Sequence, residues 1–339
     1  MEISEIGEFG LINRLTDSIS IKNESTIKGV GDDAAILAYG DKETLATSDL
    51  LLEGIHFDLR YVPLKHLGYK SAVVNFSDIY AMGGTPRQLL VSLGVSSRFT
   101  VEPIEELYAG IRLACEVYGV DLVGGDTSAS VTGLVISITC LGDVEKGKAI
   151  GRSGAKPTDL ICVSGDLGAA YMGLQLLERE NKVAADSGKD FQPDFAGKEY
   201  ILERQLKPEA RRDVIEALKR EGLQPTSMID VSDGLSSELL HLCKNSKVGC
   251  RVYEDKIPID FQTALMAEEF NMNLVTAAMN GGEDYELLFT VPLTEREKVE
   301  KLKEVRMIGY ITEEKLGAML VSRDGNEIPI KAQGWNSLQ

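Results

Sequence analysis

Positive charge is scarce in this chain of 339 residues: 36 Lys and Arg stand against 53 Asp and Glu, a formal net charge of −17. A surface so acidic argues against a nucleic-acid binder, because phosphate backbones are held by Lys and Arg. Small phosphate-bearing ligands stay open, provided metal ions bridge the two negative parties. Histidine is limited to His56, His66 and His241, far apart in sequence, which argues against a zinc site. The cysteines Cys115, Cys140, Cys162, Cys243 and Cys250 are odd in number, form no C-x-x-C and lie in apolar stretches. Reduced core thiols of a cytoplasmic protein are expected. No stretch reaches the ~20 apolar residues of a membrane span. The N-terminus, Met1-Glu2-Ile3-Ser4-Glu5, is wrong for a signal peptide. No G-x-x-x-x-G-K-[ST] loop and no H-R-D or D-F-G set occurs, which excludes P-loop and protein-kinase readings. Gly29-Val30-Gly31-Asp32-Asp33-Ala34 formally fits G-x-G-x-x-A, but two acidic side chains there would repel a pyrophosphate.

What is present alternates between strand and helix signals. Thr44–Thr47 reads as a strand, followed by an extended or looping run through Phe57. A helix is expected over Leu67–Met82, stopped by Gly83-Gly84 and Pro86, then a strand over Leu89–Val95. Pro103–Tyr118 has helical periodicity. Asp121–Val123 reads as a short strand running into Gly124-Gly125-Asp126, and Leu134–Leu141 as another. The cluster Gly151-Arg152-Ser153-Gly154-Ala155-Lys156-Pro157 marks a boundary, giving domains 1–150 and 151–339. Beyond it come a strand at Asp159–Val163, a helix at Gly168–Glu178, a polar loop to about Asp194, and two helices, the second opening at Pro208. A strand end follows at Met228–Asp230, then a helix at Leu235–Cys243. Strands at Tyr285–Thr290 and Met307–Ile311 flank a helix at Glu295–Lys303. The class is α/β (α+β) with two domains.

One pattern recurs: aspartate beside glycine or serine at element ends. It appears in Gly31-Asp32-Asp33, Thr47-Ser48-Asp49, Asn75-Phe76-Ser77-Asp78, Gly124-Gly125-Asp126 and Asp230-Val231-Ser232-Asp233-Gly234. Mg²⁺ takes oxygen ligands, and carboxylates from several segments can share such ions. Taken singly, such an aspartate is usually a turn or a helix cap, and Ser232 or Asp233 is expected as an N-cap. Asp78 differs. It falls inside a predicted helix, where aspartate is a poor former. Asn75 lies three residues back on the same face.

Taken together these motifs resemble the thiamine-monophosphate kinases. The resemblance rests on Gly31-Asp32-Asp33-Ala34-Ala35, Asp49 with Gly54-Ile55-His56-Phe57, Asn75-Phe76-Ser77-Asp78 with Ala81-Met82-Gly83, and Gly124-Gly125-Asp126-Thr127. It continues through Arg152-Ser153-Gly154-Ala155-Lys156-Pro157, Ile229-Asp230-Val231-Ser232-Asp233-Gly234-Leu235 and Gly281-Gly282-Glu283-Asp284-Tyr285-Glu286-Leu287, so it spans about Glu8 to Trp335. It implies a two-domain aminoimidazole ribonucleotide synthetase-like fold, with the N-terminal sheet pairing across a homodimer. It implies Mg²⁺-assisted transfer from ATP to thiamine monophosphate, giving thiamine diphosphate. The metal ligands it implies are Asp33, Asp49, Asp78, Asp126, Asp230 and Asp233, with Thr47 or Ser48 also offering oxygen. Tyr108, Gly125, Asp126, Arg152 and Ser232 would meet the nucleotide. His56, Glu283 and Trp335 would meet the substrate, with Asp284 behind Glu283. Absence of a cysteine before Cys115 and at the C-terminus separates the chain from selenophosphate synthetases and hydrogenase-maturation dehydratases. Another ATP-using synthetase of that superfamily is the alternative, and a non-catalytic nucleotide or metal sensor a more distant one.

Overall fold

A computed structural model describes residues 26–28, 32–187 and 195–332. The period-two pattern is cleanest in strand β6 (Val135–Glu145), where Ile136, Ile138, Cys140 and Val144 are buried and their neighbours half-exposed. It sits near the middle of a six-stranded sheet in the order β1 (Thr26–Lys28), β2 (Ala35–Tyr39), β3 (Lys42–Leu52), β6, β4 (Thr85–Val95), β5 (Asp121–Ala129). All neighbours are antiparallel except β4 and β5. That parallel pair needs a crossover, supplied by helix α2 (Val101–Tyr118).

Helix α1 (Leu64–Ala81) is buried nearly all round. It lies on β3, β4 and β6, packs against α2, and touches strand β8 (Ser227–Asp230) and helix α4 (Glu199–Leu206) of the second half. The helices α1 and α2 meet through glycines. A Cβ on Gly68 would stand 1.9 Å from the Leu107 carbonyl oxygen, and one on Gly110 equally close to that of Lys65.

The second sheet has seven strands in the order β13 (Glu327–Pro329), β12 (Ala318–Val321), β9 (Val248–Tyr253), β11 (Val305–Glu313), β7 (Leu160–Ser164), β10 (Leu287–Val291), β8. Its central strands are buried on both faces. Cys162, Met228, Leu287 and Phe289 join the core built on α1, whereas Ile161, Val163, Ile229 and Leu288 join a second core. Helix α6 (Leu235–Ser246) supplies Leu239 and Leu242 to that second core. Among the described residues the remaining α-helices are α3 (Ala169–Ser187), α5 (Arg212–Arg220), α7 (Phe261–Glu269), α8 (Leu274–Asn280) and the single turn α9 (Arg296–Val299). The five cysteines are free and buried. Among the described residues, no helix is long and apolar enough to cross a membrane.

Several boundaries differ from the sequence reading. Gly124-Gly125-Asp126 does not end a strand. It lies within β5, whose ladder with β4 continues through Val91–Gly125 and Ser92–Asp126, so tertiary pairing overrides the glycines. Strand β3 extends to Leu52, held by the matching length of β6. Helix α3 continues to Ser187, and residues 188–194 of the expected loop lie outside the described residues. The helix expected to open at Pro208 begins at Arg212. The one expected over Glu295–Lys303 contracts to α9, preceded by a 3₁₀ turn at Leu293–Glu295. Neither Ser232 nor Asp233 caps α6; its N-cap is Gly234, with no side-chain bond.

Candidate active site

Three carboxylates from distant segments converge: Asp33, Asp78 and Asp230 offer oxygens within 4.8 Å of one another. Asp33 enters from the turn before β2, Asp78 from α1, and Asp230 from the end of β8. Each has a polar partner. Thr47 donates to Asp78 Oδ2 at 2.5 Å, and Ser77 to Asp230 Oδ2 at 2.6 Å. Arg152 reaches Asp33 Oδ1 through Nη2 at 2.6 Å and Oδ2 through Nε at 3.2 Å, while its backbone N–H meets Asp32.

Burial pushes the Asp33 carboxyl up to about 7, against the opposing pull of Arg152, with Asp230 and Asp32 adding to the rise. Burial takes Asp230 up to about 6, although the Ser77 hydroxyl and Arg152 favour its charged form. Asp78 is raised well above the carboxylate range, by burial first and then by the charges of Asp49, Asp230 and Asp33. Asp49, one strand position beyond Ser48, is pushed to about 6 by burial. Crowded, buried carboxylates with raised pKa values fit a hard divalent cation, which would satisfy their oxygens and displace their protons. A single guanidinium spans only part of the group.

Strand alternation sends Thr47 and Ser48 to opposite faces of β3. Thr47 and Asp49 share a face, and Thr47 is on Asp78. Ser48 is exposed and turns to β6, where its hydroxyl bonds the Ile138 carbonyl at 3.2 Å and Thr139 Oγ1 at 3.1 Å. Asp126 stands apart from the three-carboxylate group. It lies on the exposed strand β5, where its Oδ1 accepts the Thr127 N–H at 2.9 Å. Gly125 has a packing reason of its own, since a Cβ there would lie 1.7 Å from the Val91 carbonyl oxygen. Tyr108 packs half-buried against the first core on α2. Trp335 lies outside the described residues.

Freed from capping, the 231–234 turn lies against the loop that carries Glu283. Ser232 offers its carbonyl to the Glu283 N–H at 2.6 Å, and Val231 to the Tyr285 N–H at 2.9 Å. Asp233 donates its N–H to Glu238 Oε1 at 3.0 Å. The Glu238 carboxyl is raised well above its usual range by burial and by Asp233. Asp284, expected behind Glu283, is tied into the protein. It is buried and accepts the Gly168 N–H at 2.9 Å, while Arg204 holds its carbonyl at 3.1 Å and Glu286 at 2.9 Å. It thus fastens the loop. His56 sits in the turn after β3, and its Nδ1 accepts the Leu52 N–H at 3.0 Å, which leaves the ring proton on Nε2 in the neutral form.

The sequence reading missed Lys70, Gln205 and Glu238. Lys70 had a signal, because Lys70 and Ser77 are seven residues apart and share one face of a helix that is buried nearly all round. Gln205 had none.

The N-terminal domain family of AIR synthase related proteins matches residues 31–144, and the corresponding C-terminal domain family matches residues 157–321. The thiamine-monophosphate kinase of Bacillus subtilis is 34% identical over 342 residues, covering 97% of this chain and 98% of the relative. That of Aquifex aeolicus is 34% identical, covering 99% of both. A solved structure of AaThiL complexed with AMPPCP and TMP is 33% identical, covers 99% of this chain and 98% of that one, and superposes with a TM-score of 0.84.

Proposed function

The chain belongs to the thiamine-monophosphate kinases, and on that premise we propose that it transfers the γ-phosphate of ATP to thiamine monophosphate, giving thiamine diphosphate and ADP. The observation that carries the reading is the gathering of Asp33, Asp78 and Asp230 beside Arg152, with the Glu283 loop adjoining at Ser232.

In this reading the site lies where units 1–150 and 151–339 meet. Asp33, Asp78 and Asp230 hold Mg²⁺, with Thr47 and Asp49 on the adjacent face of β3 and Asp126 and Asp233 as further ligands. Bound Mg²⁺ would neutralise phosphate oxygens and so reduce the repulsion between the two anionic reactants. Arg152 exchanges Asp33 for the nucleotide, since a guanidinium forks phosphate oxygens as well as carboxylate. Tyr108, Gly125 and Ser232 complete the nucleotide contacts. A phosphate monoester has a second pKa of about 6 and is largely dianionic at neutral pH. The acceptor therefore needs no strong general base, and the aspartates orient and neutralise without attacking phosphorus. His56 offers Nε2–H to the substrate phosphate. Glu283 accepts from the substrate amine or offsets the thiazolium, and Trp335 stacks on that ring system.

We place the enzyme in the cytoplasm, where its five thiols stay reduced. We place a second subunit on the edge of the first sheet. There β5 is exposed along its whole length, with Val123 at 56% and Leu122 at 36% exposure. A sedimentation mass of one chain would contradict that.

The test is direct. Purified protein is mixed with ATP, Mg²⁺ and thiamine monophosphate, with unphosphorylated thiamine in a parallel tube and EDTA in a third. Thiamine diphosphate from the monophosphate alone, lost in EDTA and restored by Mg²⁺, is expected. A folded protein that binds ATP and yields no product moves the reading to a synthetase that phosphorylates an amide oxygen.

A further inference from the structure

Three unfavourable features converge on Glu283. The first is its backbone: Glu283 has φ +58° and Tyr285 φ +51°, two non-glycine residues in the left-handed region within one short loop. The second is Lys70. Its side chain is 8% exposed, and its ammonium lies 2.9 Å from Glu283 Oε1 while donating to the Gln205 carbonyl at 3.0 Å. Burying an ammonium is costly unless it is paired. The third is Gln205, itself 5% exposed. Its Nε2 donates to Glu283 Oε2 at 2.9 Å, while its buried Oε1 meets no hydrogen-bond partner among the described residues. The amide cannot turn over to relieve that oxygen, because its carbonyl would then face the carboxylate.

Each oxygen of Glu283 thus has its own donor, one from α1 in the first half of the chain and one from α4 in the second. The two donors are buried, yet the Glu283 side chain keeps 33% of its surface exposed. The carboxylate is gripped from behind and open in front. A purely structural ion pair would not need an unpartnered amide oxygen or a strained loop to maintain it.

We propose that Lys70 and Gln205 are positioning residues for the acceptor substrate. They act through Glu283, fixing its carboxylate to receive the amine or the cationic ring of that substrate, and they do not serve the nucleotide. The proposal rests on the reading of Glu283 as a substrate contact.

The experiment measures kcat and the separate KM values for thiamine monophosphate and ATP. The variants are Lys70→Met, Lys70→Arg, Gln205→Leu, Glu283→Gln and the double variant Lys70→Met/Glu283→Gln, each checked by its melting temperature. Releasing the side chain to its other rotamers should raise the acceptor KM by about 10-fold or more in Lys70→Met and Gln205→Leu. The ATP KM should stay within about twofold, Lys70→Arg should recover most of the loss, and the double variant should be no worse than Glu283→Gln alone. Equal rises in both KM values, an unchanged acceptor KM, or multiplying effects in the double variant would overturn the proposal. If Lys70→Met does not fold, Gln205→Leu and its double with Glu283→Gln decide by the same criteria. Wild-type protein that makes no thiamine diphosphate overturns the parent reading and this proposal with it. Active wild type with variants unchanged overturns this proposal alone.

Discussion

Asparagine at position 78 should make the metal-free protein more stable and leave the enzyme inactive. The oxygens of Asp33, Asp78 and Asp230 lie within 4.8 Å of one another. Two like charges at that separation repel by about 3.5 kcal/mol at an effective dielectric constant of about 20. Protonation already relieves part of this, as the raised values of about 7 for Asp33 and about 6 for Asp230 record. Removing the Asp78 charge should therefore gain only about 1–3 kcal/mol, less than the full Coulomb figure. The amide has nearly the same shape. Its oxygen can keep the Thr47 hydroxyl, now 2.5 Å from Asp78 Oδ2, and its NH₂ can donate to a neighbouring carboxylate.

The sign of the pH dependence follows from linkage. Carboxyls raised on folding hold protons that the unfolded chain has released. Metal-free wild type therefore loses stability as pH rises from the ordinary value of 3.8 through the folded values near 6 and 7. The advantage of Asp78→Asn should be small near pH 4.5 and grow as pH rises, because the Asp78 carboxyl is itself raised well above the ordinary range. Thermal melts in EDTA across that range would read it as a rise of a few degrees, at about 2–4 °C per kcal/mol. In excess Mg²⁺ the order should reverse, because the wild type gains binding energy that the variant lacks. A variant that melts below wild type in EDTA at pH 8, or that retains turnover, refutes the reasoning.

Arg152→Ala should raise the KM for ATP by about 10- to 100-fold, the range of a charge-assisted hydrogen bond, and Lys should restore little because it lacks the fork; unchanged ATP kinetics would leave Arg152 as a partner of Asp33 only. Asp126→Asn should abolish turnover without lowering the melting temperature, and a normal rate would remove Asp126 from the metal set. Trp335→Ala should weaken binding of thiamine monophosphate more than that of ATP, read by titration calorimetry; equal losses for both would count against stacking.

The sequence carried the fold class because its signals were local. The period of two in Leu134–Leu141 and the helical run around Asn75 and Asp78 survive in β6 and α1. The site was legible in its most unusual residue, since an aspartate inside an apolar helix has no capping role, and Asp78 does lie in the carboxylate group. Elsewhere tertiary pairing decided. Glycines that read as the end of a strand were held inside β5 by the β4 ladder. Ser232 and Asp233 read as caps, but Gly234, at φ +104°, takes the N-cap position instead. Gln205 was invisible because its meaning comes from a partner 78 positions away.

The arrangement also shows what holds a self-repelling site together. Asp33 and Asp78 come from the first half of the chain and Asp230 from the second, so their repulsion acts across the junction. Among the described residues the ion pairs spanning it, Arg152 with Asp33 and Asp32 and Lys70 with Glu283, are few and partly buried, and such pairs return little net energy after desolvation. The apolar core does the holding. Ala72, Val73, Phe76 and Tyr80 of α1 belong to one core with Ala210, Val214, Met228, Leu287 and Phe289 of the second half. The larger of these, Val73, Phe76, Val214, Met228, Leu287 and Phe289, are each worth about 1.5–3 kcal/mol when buried. A handful therefore outweighs a repulsion of a few kcal/mol. Truncating Phe76 to Ala should for that reason cost about 3–5 kcal/mol, more than any single charge change at the site. Urea denaturation would measure this, and a smaller loss than that of Arg152→Ala would show that charge, rather than packing, ties the halves.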